Sequence, residues 1–179
     1  MASDILIAVN DQGSLSYSRI DPVNMTTIEI PVNSIQDSPS TYTFVFQDPK
    51  ALEKIFKCST PSNRYLVDEM RKLRLDILQT ISAAQLTPLE ENGGIDGPNM
   101  SPLVENWRSA CRSIPKGHQI EEIIFNMSCG QQIEIRHIVR LLQQISTTIM
   151  IKGSSPFRCQ VQGCDAEKKA WLEASLVSA

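Results

Sequence analysis

An α+β fold is what this sequence predicts, and three observations carry the prediction. Residues before Asp48-Pro49 alternate apolar with polar types and are rich in β-branched and aromatic side chains. Residues after it are punctuated by helix-capping pairs and carry apolar positions three and four apart. The stretch 147–162 regains strand composition.

The first element is the apolar run Ile5 to Val9, stopped by the turn chemistry of Asn10-Asp11-Gln12-Gly13. Leu15, Tyr17 and Arg19 then alternate with Ser14, Ser16 and Ser18, as in the second arm of a β-hairpin. Thr26 to Val32 alternates in the same way, and Thr41 to Phe46 has the strongest strand composition in the chain. These segments predict four antiparallel strands over about 5–46.

Four N-cap residues then stand directly before prolines: Asp48-Pro49, Thr60-Pro61, Thr87-Pro88 and Ser101-Pro102. A cap side chain accepts a bond from an orphan N–H, and proline at the first helical position has no N–H to waste. Helices are expected to start near 49, 61 and 102, with others over 118–127 and 131–146. Thr87-Pro88-Leu89-Glu90 has capping-box spacing, but Gly93-Gly94 would end that helix at once, which leaves 90–100 as a flexible loop. At the end, 147–152 and 157–162 around Gly153-Ser154-Ser155-Pro156 read as a second hairpin; the competing reading extends the preceding helix to about Ile151. Asp165 caps a last helix carrying Ala170, Trp171, Leu172, Leu176 and Val177. A C-terminal hairpin completing the N-terminal sheet makes 1–179 a single domain; without it the chain divides into a β-rich 1–48 and a mainly helical 49–179.

At 179 residues and 41% hydrophobic content the chain buries an ordinary core without disulfide or metal staples. No apolar run approaches the ~20 residues a membrane span needs, and no secretory h-region opens the chain. Five cysteines, an odd number without regular spacing, imply a reducing, intracellular and cytoplasmic setting. The net charge is −3, with one basic residue, Arg19, against six acidic ones in residues 1–49 (net −5), which leaves +2 for the remainder. Any electrostatic attraction to a partner is therefore local.

Catalytic inventory is thin. The two histidines, His118 and His137, belong to no hydrolase, zincin or phosphate-loop motif, so the chain reads as non-enzymatic and without a cofactor. Cys159 and Cys164 resemble half a zinc finger, but no His or Cys follows them, and no metal is expected. Trp107 and Trp171 sit among apolar helical neighbours and read as core.

Six of the nine arginines fall at helical spacing: Arg71 with Arg74, Arg108 with Arg112, Arg136 with Arg140. Like charges on one face ask for a carboxylate or an external anion such as phosphate. The third pair, with His137 beside it, faces away from the stripe Ile135, Ile138, Leu142, Ile145 and Ile149. On a helix over Ser62–Ala83, Arg74 would project inside the stripe Leu66, Val67, Met70, Leu73, Ile77, Leu78 and Ile81, and so must pair, snorkel or meet another subunit. Leu75 on the otherwise polar side of that helix adds a hint of an interface.

Two functions follow. The first is a protein-interaction or assembly protein that docks on a partner or self-associates; a viral structural or accessory protein of the host cytoplasm fits this description. The second is an RNA-binding protein whose six arginines contact phosphates.

Overall fold

The computed structural model describes residues 3–35, 38–58, 60–78, 101–128, 135–150 and 158–177. Strands β1 (Asp4–Val9) and β2 (Leu15–Ile20) form the expected hairpin. Gly13 takes a φ of +72°, and Asn10 Oδ1 accepts the Ser14 N–H at 2.7 Å, so the turn residues close the arms with Ile7 opposite Tyr17. The short β3 (Thr27–Glu29) returns antiparallel to β2. β4 (Thr43–Phe46) lies on the other side of β1 and pairs with it in parallel, Leu6 against Val45. The antiparallel expectation therefore fails at β4. All four of its residues are buried, the mark of a central strand enclosed on both faces.

Helices α1 (Pro49–Lys57) and α2 (Pro61–Glu69) begin at the two prolines, and the Asp48 carboxylate accepts the Lys50 N–H at 2.8 Å. The helix expected over 62–83 ends early, and β5 (Lys72–Leu75) follows, parallel to β4. Lys72-Leu73-Arg74-Leu75 alternates strictly, with both leucines buried, and this period of two wins over the helical one. The Thr87-Pro88 start and the 90–100 loop lie outside the described residues. After α3 (Ser101–Arg112), the helix expected over 118–127 is instead β6 (Glu122–Asn126), where Ile123, Ile124 and Phe125 form a continuous buried run.

Helix α4 (Ile135–Met150) runs through 147–150, so the extended-helix reading holds and the 147–162 hairpin does not form. β7 (Arg158–Gln162) pairs in parallel with β6, and α5 (Ala166–Val177) follows, with Asp165 Oδ1 accepting the Lys168 N–H at 2.8 Å.

The α+β class holds, with one mixed seven-stranded sheet in the order β3-β2-β1-β4-β5-β6-β7 among the described residues. Strands from both sides of Asp48-Pro49 share it. Each step from β4 to β7 moves one strand in the same direction, so crossovers of a single hand fall on the same face. On that face Ile5, Ile7, Tyr17, Phe44, Phe46, Leu73, Leu75, Ile123, Phe125 and Val161 meet Leu52, Leu66, Trp107, Leu142, Ile145 and Leu172 in one core. Ile20, Val45 and Ile124 are buried on the reverse face without joining it. His118 is also buried: Ile120 donates its N–H to Nδ1 and Nε2 lies 3.2 Å from the Ile149 carbonyl, so a neutral ring with its proton on Nε2 ties the entry to β6 to the end of α4. Trp107 is core, as expected. Trp171 is 49% exposed, because Leu172 and Leu176 take the buried stripe of α5 and Trp171 lies ~100° from it.

Candidate interaction edge

Four of the six arginines have carboxylate partners within the chain. Arg71 and Arg74 are not on a helix. Arg71 donates to the Asp68 carbonyl at 2.9 Å and stands 3.5 Å from Glu69 and 3.8 Å from Glu121. Arg74, in β5, reaches past β4 to Asp4 and donates from Nε to Asp76 at 3.1 Å. Asp76 is 1% exposed, and its other oxygen lies 3.4 Å from Gln47 Nε2. This group pins β1 and β5 across the reverse face. Removing one member would strand a buried charge, which makes the group structural. Leu75 is in the core and Arg74 is paired within the chain, so neither presents the interface expected of a helix over 62–83. Arg108 and Arg112 share Glu105, at 3.8 and 3.2 Å. Arg136, His137 and Arg140 belong to α4, but their side chains lie outside the described residues.

Among the described residues no three His, Cys, Asp or Glu side chains are placed to hold a metal. Burial, and then the Glu173 charge, push the Cys159 thiol up to about 11, and burial raises Cys164. Cys58 differs. The Thr60 backbone, the Asn63 amide (3.0 Å from Sγ) and the Thr60 hydroxyl hold its thiol below the ordinary value. Asn63 accepts in turn from the Tyr17 hydroxyl at 2.7 Å, an arrangement that ties β2 to α2.

The two sheet edges set the remaining geometry. On β7, Arg158 donates to the Glu121 carbonyl and Gln162 accepts from Met127, so residues 158 and 162 face β6 and residues 159 and 161 face outward. The outward Val161 N–H is taken by Glu173 of α5 at 2.8 Å. On β3, Asp21 donates to the Thr26 carbonyl and Ile30 to the Tyr17 carbonyl. Residues 26, 28 and 30 therefore face β2, and Thr27 and Glu29 present N–H and C=O groups to the open edge.

That open edge carries the apolar surface. Val23, Met25 and Ile28 are 90%, 65% and 60% exposed, the three most exposed large hydrophobic residues among those described. They are held in place. Met25 donates to the Asp21 carbonyl, Val23 to the Asp21 carboxylate and Thr26 to Asn24 Oδ1, while Met25 itself sits at a φ of +58°, which L-residues rarely adopt. Sequence reasoning missed this site, reading 26–32 as one more strand. The available signal was Val23 and Met25 standing inside a turn of Asp21, Pro22 and Asn24.

Comparison with protein-family models, curated proteins and solved structures finds no match.

Proposed function

We propose that this chain is a non-enzymatic interaction protein that takes up its partner by strand addition along β3. One observation carries the reading: the open strand edge and the three most exposed apolar side chains coincide within residues 23–29. Main-chain groups of an added strand supply affinity, and exposed side chains on alternate positions select the sequence. A loop already ordered by its own hydrogen bonds adds little ordering cost on binding. Supporting the interaction reading over the RNA one, Arg71, Arg74, Arg108 and Arg112 each have a carboxylate within 4.0 Å, which a phosphate would have to displace. No helix among the described residues is long and apolar enough to cross a membrane. The intracellular setting rests on the thiols of Cys58, Cys159 and Cys164, described without disulfides.

The test is selection of displayed extended peptides on the full chain, with hydrogen exchange of the selected complexes. Peptides of alternating apolar pattern should slow exchange at the Thr27 and Glu29 amides and lose binding to Ile28→Lys. Selection indifferent to Ile28→Lys, with protection elsewhere, would overturn the reading.

A further inference from the structure

We infer that the occupant of β3 is a second copy of this chain, paired antiparallel about a two-fold axis through Ile28 so that two sheets become one. The inference rests on the strand-addition reading and names its partner. The outward main-chain groups belong to Thr27 and Glu29, which flank Ile28 symmetrically. An antiparallel copy centred on Ile28 therefore sets Thr27 against Glu29 of the second copy, and the reverse, in two hydrogen-bonded pairs. All four outward donors are satisfied. Pro31, the next residue of outward parity, has no N–H and ends the ladder without loss.

The side chains specify the same axis. The two Ile28 residues become a non-hydrogen-bonded pair, the closest kind, with Cα atoms roughly 4.5 Å apart. Both are now exposed, so pairing covers apolar surface that folding left in water. Each Glu29 faces a threonine. A register in which Glu29 meets Glu29 sets like charges opposite each other and is disfavoured. Association through this contact also stops at two, because a two-fold pairing uses the β3 edge of both copies at once.

The full chain tests this by native mass on dilution and by cysteine cross-linking. Mass should rise with concentration from one chain's 20.0 kDa toward twice that value. Ile28→Lys, at an exposed site, should weaken association roughly tenfold or more, with circular dichroism unchanged. Ile28→Cys should cross-link through 28–28 contacts on oxidation, located by peptide mapping, well above the wild-type background of native cysteines. The separation of such a pair falls within disulfide reach. Thr27→Cys and Glu29→Cys should cross-link mainly when mixed. A chain that stays monomeric, or an Ile28→Cys that links no better than wild type, overturns the inference. If that monomer still selects alternating peptides at β3, self-pairing alone falls; if it selects none, strand addition falls with it.

Discussion

At one edge of the sheet, Val161 hands its outward N–H to Glu173 while Leu172 and Leu176 hold α5 against β7. At the other, Thr27 and Glu29 turn theirs to solvent with a largely exposed Ile28 between them. The difference follows first from connectivity. β7 is followed directly by a helix, whereas β2 and β3 are joined by turns, and a hairpin adds strands without adding a crossover helix to cover them. Connectivity explains an open edge; it does not explain Val23, Met25 and Ile28. Unused edges are usually blunted by charge or proline. Here Glu29 and Pro31 limit the length of the edge, and the residues just before them are apolar.

Breaking the closed edge should give the largest effect. Leu172→Ala removes a fully buried anchor of α5 and should cost about 2–5 kcal/mol in urea unfolding. The Cys159 thiol should react faster with a disulfide reagent as α5 loosens. An unchanged midpoint would mean that α5 does not hold the edge shut. Glu173→Ala is the finer cut. It leaves the Val161 N–H without its acceptor, for about 1–3 kcal/mol, with faster exchange at that amide. Glu173→Gln keeps an acceptor and should restore much of that loss, yet like the alanine variant it should lower the Cys159 pKa from about 11, because the carboxylate charge is the second cause of the rise after burial.

Alkaline titration separates the edges by a different route. Tyr17, in β2 beside the open edge, is raised from 10.0 to about 12 by burial and then by the Cys58 charge; Cys159, in β7, is raised from 9.0 to about 11. In both cases the folded pKa lies above the unfolded one, so the neutral form is favoured by folding. Their contributions are complete below the unfolded values and are lost as pH rises through the folded ones. Stability should fall from pH 9 to 11 through Cys159 and from 10 to 12 through Tyr17. Cys159→Ala should flatten the lower window and Tyr17→Phe the upper. Tyr17→Phe should also cost about 1 kcal/mol at neutral pH, for its hydrogen bond to Asn63. Identical alkaline profiles for the two variants and wild type would sink this assignment.

The contrast between the edges also marks what could be read in the sequence. Signals contained in a few residues were legible: the Asn10–Gly13 turn, the Asp48 cap, the α2 start at Pro61 and the Asp165 cap. β5 and β6 were not. Leu66, Met70, Leu73 and Ile77 fit a helical stripe even though the chain straightens after Met70 with no glycine or proline to mark the change. Ile123-Ile124-Phe125 fits a buried segment of either kind. Parallel pairing joins residues far apart in sequence, such as Leu6 with Val45, and leaves no local period to read. The same distance hid the Arg74 partner, Asp4, while Glu105 was in plain reach of Arg108 at i+3. Ile28 becomes an edge residue through strand order, which is a property of the whole sheet.

Met25→Gly gives the smallest effect and the sharpest one. Met25 holds a φ of +58° that glycine adopts freely, so the substitution relieves strain and raises unfolded-state entropy at once. The balance should be a stabilisation on the order of 0.5 kcal/mol, seen as a slightly higher Tm of the dilute chain. The same change deletes one of the three apolar side chains beside β3 and loosens the loop that presents them, so concentration-dependent association should weaken by a few-fold. Stability and association then move in opposite directions, as expected where a strained backbone is kept for binding. Higher stability with association intact would assign the strain to the turn alone. A lower Tm would show that the apolar contacts of Met25 within its own chain outweigh its backbone geometry.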